Sequence, residues 1–428
     1  MSKIIFGIED RPPPAEAFAL GLQHLSVMLL GNIAPALLIS LALGLESEET
    51  SYLIQVALVM SGLATLVQAH PIGPIGGRLP MVMGTSIVFM SAIIAIARRY
   101  NLATAFGACL VAACVELVMA YRVATVRKLF PPLVSAIVVM LIGLTLVPIG
   151  MDYAAGGVGA RDYGGFVHLA LAGIVLVVTL VLNQGCHGFV RYGSILVAVI
   201  VGYAVGAAFG LVSLEAVQRA QWLALPRLVP FGLELHLGPI LLMMMIYAIS
   251  AVETIGDISA VVASTGRNVS SDELRGGLMA DGAMSGLASL VGAFPNTSFS
   301  QNVGLVAFTG VASRHVTTFT GIVLVALGLV PKVSAVFTTI PNAVVGGAGL
   351  IMFAMIFSSG VAILHRSVEL TQRNMVILAV AIALGLGVEL RPAALQHFPE
   401  WAQTFFGSGL IAGGLSAAVM NAVFPERD

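Results

Sequence analysis

Two carboxylates four residues apart, Glu253 and Asp257, stand in the apolar run Ala248-Ile-Ser-Ala-Val-Glu-Thr-Ile-Gly-Asp-Ile-Ser-Ala260. At that spacing they share one helical face. A carboxylate at membrane depth costs about 2.5 kcal/mol or more on insertion scales, so an acid kept there is functional by default. The pair reads as a proton-carrying site. The bland alternatives are an ion pair for Glu253 and a helix-organising hydrogen bond for Asp257. Gln23-His24 lies in a second apolar run, ahead of Gly31-Asn32 and Pro35. His24 could serve coupling, or its ring could simply fix one helix to another. Asp281, in Ala280-Asp-Gly-Ala283, is a further intramembrane acid, read as structural or gating. The stretch Phe294-Pro-Asn-Thr-Ser-Phe-Ser-Gln-Asn-Val-Gly304 offers Gln301 and Asn302, whose amides both donate and accept hydrogen bonds. Thr85 and Ser86 start a helical run after a second break. Free N–H groups at such a start bind acceptor atoms, although both residues could equally be plain caps. Phe89 and Phe299 flank the two breaks and could stack on a planar ligand, but phenylalanine in a membrane helix usually only packs.

These residues need a scaffold that lipid tolerates. The chain has 428 residues, of which 58% are hydrophobic and 10% charged, against roughly 25% charged in soluble domains. The composition dictates an all-α polytopic membrane protein. A net charge of −1 gives no reason to expect nucleic acid as a partner. Cys109, Cys114 and Cys186 form no CxxC and read as packing residues. The first apolar run is too long for a cleavable signal. No HExxH and no GxxxxGK[ST] occurs; no metal, cofactor or enzymatic activity is expected.

A helix needs about 20 apolar residues to cross a bilayer. Fourteen segments are predicted: 15–44, 51–69, 79–98, 102–121, 131–150, 165–183, 192–214, 237–263, 276–293, 296–310, 315–330, 341–363, 373–388 and 403–424. The third and tenth open on proline and polar residues, and each reads as a short extended piece feeding a half-helix. With the N-terminus inside, Lys3, Arg11, Arg78, Arg122, Arg127, Lys128, Arg191, Arg267, Arg275, Arg314, Arg366, Arg373 and Arg427 face inward. That is 13 of the 20 basic residues, so both termini are expected in the cytoplasm. Phe130-Pro-Pro-Leu-Val134 and Ile340-Pro-Asn-Ala-Val344 open two spans 210 residues apart, and Ser86 and Asn302 in the two breaks lie 216 apart. Seven spans is an odd number, so a second half of seven would be inverted. Inverted repeats with paired broken helices are a transporter signature.

The motifs together resemble the nucleobase–ascorbate transporter family (nucleobase:cation symporter-2), and within it the bacterial xanthine and uric acid permeases. The signature Q/E/P-N-x-G-x(4)-T-R/K/G is matched by Gln301-Asn302-Val-Gly304-Leu-Val-Ala-Phe-Thr309-Gly310. Gln23-His24, Glu253 with Gly256-Asp257, Gly84-Thr85-Ser86, Phe130-Pro131-Pro132 and Ala280-Asp281-Gly282 extend the match along essentially the whole chain.

The resemblance implies two inverted seven-span repeats, with short strands in spans 3 and 10. It implies a core domain of spans 1–4 (1–121) and 8–11 (237–330), and a gate domain of spans 5–7 (122–236) and 12–14 (331–428). It implies a homodimer through the gate domains, a multi-pass location in the inner (cytoplasmic) membrane, and proton symport of a base by alternating access. Carried over by residue, Glu253 would bind ring N–H groups, Gln301 would add a side-chain contact and the backbone of Ser300 a third. Phe299, Ser86 and Ile87 would line the site, and Ile87 departs from the phenylalanine of many relatives. Asn302 would brace the site, and His24 and Asp257, with Gln23, Asp281 and Thr309, would support proton coupling or geometry. Glutamine at 301 offers a donor beside an acceptor, matching the mixed edge of an oxopurine such as xanthine or uric acid. The alternatives are a uracil-type nucleobase permease and an anion exchanger of the same fold. Glu253 argues against the anion exchanger, and a membrane-embedded enzyme would need metal ligands or a nucleophile that the sequence does not offer.

Overall fold

The computed structural model describes residues 4–122, 131–187 and 189–424. Phe130, which opens the first proline-led motif, lies outside them, as do Lys3, Arg127, Lys128 and Arg427 of the charge tally. The main elements in chain order are α1 (Pro14–Leu43), α2 (Ser47–Ala69), β1 (Met83–Thr85), α3 (Met90–Arg99), α4 (Leu102–Ala112), α5 (Cys114–Ala120), α6 (Pro132–Ala154), α7 (Phe166–Gly185) and α8 (Ser194–Ala208). They continue with α9 (Leu237–Ser264), α10 (Ser271–Leu290), β2 (Asn296–Ser298), α11 (Ser300–Thr309), α12 (Arg314–Gly328), α13 (Pro331–Thr338), α14 (Asn342–Ser367), α15 (Gln372–Leu390) and α16 (Gly409–Val423).

Helix ends follow the local sequence. Pro14 opens α1, where its missing N–H costs nothing. Gly44 closes it with φ 66° and an N–H turned back to Ser40 and Leu41. Capping boxes of Glu46 with Glu49 and of Ser270 with Glu273 start α2 and α10.

Among the described residues, eight helices are long and apolar enough to cross a membrane, counting α4 with α5 as one; the bent pair α12–α13 would make nine. Of the fourteen segments expected from the sequence, the other six fall on shorter or more polar pieces. Segment 79–98 holds only the ten-residue α3 after its extended part, and 296–310 holds β2 and α11. Segment 192–214 yields a 15-residue helix, because the chain turns at Gly210 with φ 72°. Segment 315–330 breaks at Val330, which Pro331 pushes out of the helical region. The axis there bends by 80°. Segment 403–424 is interrupted at Ser408, which is extended.

Two sets of helices pack closely. α1 and α2 embrace α12, α9 lies along α4, and α10 lies along α5. Separately, α6 runs against α14, which also meets α7, and α15 pairs with α16. Contacts between the sets are sparse and include α1 with α8 and α14.

A strap precedes α1. Phe6 bridges Val311 in parallel. The Ile5 N–H donates to the Gly310 carbonyl at 2.8 Å, and the Ala312 N–H to that of Phe6 at 2.8 Å. Glu9 accepts from Arg314 Nη2 at 2.8 Å and Arg78 Nε at 2.8 Å. The hydrogen bond from Arg314, reinforced by Arg78, holds the Glu9 carboxyl down at about 2.

Candidate functional site

β1 and β2 form a two-stranded antiparallel ribbon, pairing Met83 with Ser298, Gly84 with Thr297 and Thr85 with Asn296. Two further bonds continue it: the Ser86 N–H reaches the Pro295 carbonyl at 2.9 Å, and the Phe299 N–H that of Val82 at 3.0 Å. Extended backbone at membrane depth must be satisfied internally, since each lone group costs several kcal/mol. Neighbouring helices supply the remaining partners. Asn32 Oδ1, on α1, accepts from the Thr85 N–H at 2.7 Å and from Ser61 Oγ at 2.6 Å. Thr65 Oγ1 accepts from the Met83 N–H at 3.0 Å, and Ser285 Oγ from the Asn296 N–H at 2.9 Å. The ribbon thus brings together the start of α11 and the short turn Ile87–Phe89 that leads into α3. Such starts present N–H groups to a ligand.

Glycine permits the close approach. A Cβ on Gly84 would sit 2.4 Å from the Phe299 ring, and one on Gly31 2.7 Å from it. The ring is clamped between α1 and β1. Gly84→Ala is therefore expected to cost about 1–3 kcal/mol by overpacking and to move Phe299. Gly173→Ala, which meets nothing within 4 Å, serves as the control. Thermal unfolding of both purified variants checks this; equal melting temperatures would remove the clamp argument.

Asp257 on α9 accepts from Ser298 Oγ at 2.6 Å and from Ser300 Oγ at 2.9 Å. Asn302 Nδ2 lies 3.0 Å from His24 Nδ1 and donates to the His24 carbonyl at 3.0 Å, tying α11 to α1. Asp281 on α10 accepts from Thr254 Oγ1, which also meets Thr297 Oγ1 at 3.3 Å. Glu253 is half-buried, one turn before Asp257. Among the described residues it has no ion-pair partner.

A cavity of about 390 Å³ opens beside the start of α11, a volume suited to a small ligand. Ile87, Phe299, Ser300 and Gln301 line it, with Met352 and Met355 of α14. Four of the six residues expected to contact substrate therefore share one cavity. Glu253 and Ser86 are not among its lining. Glu253 lies on α9 one turn before Asp257, whose carboxylate accepts from the lining residue Ser300. Gln23 is half-buried on α1, and its carbonyl accepts from Ser26 Oγ at 2.8 Å. Thr309 sits at the opposite end of α11, where its hydroxyl donates to the Leu305 carbonyl at 2.8 Å and accepts from the Val311 N–H at 3.2 Å. A larger cavity of about 1020 Å³, lined by residues such as Glu46, Tyr52, Arg227 and Asn342, contains none of the expected residues. The smaller is the better candidate, because it joins a helix start to an amide side chain.

The sequence assigns no role to Asn32, although it stands out beside Gly31, and does not single out Glu116. Asn32 bonds the ribbon. Glu116 on α5 is fully buried and packs against Gly282, next in sequence to Asp281. Its signal was available: it is the one acid between residues 102 and 120.

The model of the Permease family matches residues 15–394. The chain is 36% identical over 443 aligned residues to the xanthine permease XanP of Escherichia coli strain K12, covering 100% of this chain and 96% of that one. It is 34% identical over 410 residues to the xanthine permease of Bacillus subtilis strain 168, covering 96% and 94%. Its fold resembles the transmembrane domain of the bicarbonate transporter BicA of a cyanobacterium, with a TM-score of 0.63 and 14% identity over 90% of this chain and 98% of that one.

Proposed function

We propose that this chain, which belongs to the Permease family, imports an oxopurine base, xanthine or uric acid, together with a proton. The observation that carries this reading is the cavity at the start of α11, where Gln301 and Ser300 face Met352 and Met355. The Gln301 amide can donate to a ring nitrogen or carbonyl and accept from a ring N–H. Phe299 and Ile87 supply apolar faces for a planar ring. The likeness to xanthine permeases along the full chain supports an oxopurine over uracil.

In this reading Glu253 carries the proton and meets the base on its ring N–H edge. Asp257, His24 and Asn302 hold the geometry, and Asp281 ties α10 to α9. The fourteen segments form two inverted repeats, with α3 and α11 as the half-helices of spans 3 and 10. Residues 1–121 and 237–330 form a core, and 122–236 and 331–428 a gate. The packing of α6 on α14 and of α15 on α16 supports that division, and sliding of one set past the other gives alternating access. The protein works as a homodimer through the gate, in the inner membrane, with both termini cytoplasmic.

Uptake of labelled xanthine, competed by a panel of purines and pyrimidines, tests the substrate class. Oxopurines are expected to compete and uracil not. A hydrogen bond of about 1–1.5 kcal/mol is about tenfold in affinity, so Gln301→Ala should weaken xanthine binding roughly tenfold. Chloride or sulfate flux in liposomes without base transport would overturn the reading in favour of an anion exchanger.

A further inference from the structure

Arg191 stands on the short helix Phe189–Tyr192 between α7 and α8, and it lines the same 390 Å³ cavity as Phe299, Ser300 and Gln301. It is the one charged residue among those lining that cavity. Its backbone is held to the end of α7, where Asn183 Nδ2 approaches the Arg191 carbonyl at 3.5 Å. Among the described residues no carboxylate pairs with its guanidinium. The rest of the lining is apolar or neutral.

Arg191 is exposed at the edge of the cavity, and a lone cation beside a cleft with apolar walls raises the local concentration of anions. Its planar fork of donors matches a delocalised, oxygen-bearing edge better than a point charge would. The α9 side of the site sets up the opposing demand. Asp257 reaches the lining through Ser300, and Glu253 lies one turn away. An anionic ligand seated against Ser300 would face these acids, and a cation on the α7–α8 side would offset them.

We propose that Arg191 is a charge-selecting residue, favouring an anionic oxopurine over a neutral one. This rests on the oxopurine reading above and sharpens its substrate class. Uric acid is a monoanion at neutral pH with its charge spread over ring nitrogen and oxygen atoms, whereas hypoxanthine is neutral. The two are planar bases of related shape that differ in charge and oxygen count.

Calorimetric titration of the purified full-length protein with urate and with hypoxanthine at neutral pH tests this. Arg191→Gln is expected to weaken urate tenfold or more, about 1.4 kcal/mol, and to change hypoxanthine by less than about twofold. Arg191→Lys, which keeps the charge and loses the planar fork, should fall between the wild type and Arg191→Gln for urate. Equal losses for both ligands would mark a merely structural arginine. No change for either would mark a residue serving membrane topology alone. Both results overturn the inference, as does a wild type that binds hypoxanthine and not urate. A wild type that binds neither purine refutes the oxopurine reading itself, which is a separate outcome.

Discussion

Glu253→Gln abolishes concentrative uptake of xanthine while exchange of labelled for unlabelled substrate continues. Glutamine keeps the shape of the side chain and one acceptor oxygen, and removes the capacity to carry a proton. Glu253 is suited to that task by what surrounds it. It is half-buried on α9, has no cationic partner among the described residues, and lies one turn from Asp257. One proton carried in with neutral xanthine moves one charge, and through 100 mV that is worth about 2.3 kcal/mol, roughly fortyfold accumulation. The variant should fall from an accumulation of that order to equilibration at a ratio near one. Vesicles carrying an imposed membrane potential and pH gradient measure this directly. Continued accumulation against a gradient by Glu253→Gln would refute proton carriage by this residue.

The second large effect is expected at Asp257. Its carboxylate binds the hydroxyls of Ser298 and Ser300 and so joins α9 to the last residue of β2 and the first of α11. Hydrogen bonds to a charged group contribute about 1.5–3 kcal/mol each. Ser298 is buried, so Asp257→Ala also leaves its hydroxyl without a partner. The variant should lose several kcal/mol of stability, about 3–6 by these figures, and more than tenfold of its uptake. Asp257→Asn, which retains one acceptor oxygen, should lose less of both. Thermal unfolding of the purified variants, paired with initial uptake rates, separates the cases. An alanine variant as stable and active as the wild type would show that the α9–α11 tie is dispensable.

The helical membrane fold was legible in the sequence because lipid forces each crossing to be apolar over a fixed length, and α1, α2, α6, α7, α9, α14 and α15 carry that signal plainly. Other segments kept it only in part. Val330 before Pro331 and the extended Ser408 break helices within apolar runs whose mean composition hides the break. The family was legible in Gln301–Gly310, where residue type and spacing act together. The contacts that build the site were not. Asn32 meets Thr85, and Gly31 and Gly84 clamp Phe299, across distances in sequence that no periodicity encodes. Glu116 could have been suspected as a lone acid in a span, but its place beside Gly282 depends on how α5 packs on α10. Arg191 read as one more inward-facing cation, and only the cavity distinguishes it.

The β1–β2 ribbon also sets a schedule for biogenesis. Thr85 and Asn296 pair directly, yet the ribosome makes the second roughly 210 residues after the first, about 10–40 s later at usual elongation rates. Until then the N–H and C=O groups of residues 83–85 have no strand to pair with. Asn32 and Thr65, both made earlier, can already hold the Thr85 and Met83 N–H groups, and the remaining groups must wait in a translocon or in water. A nascent chain halted before residue 296 should therefore leave the 83–85 stretch open to protease, and release of the arrest should close it.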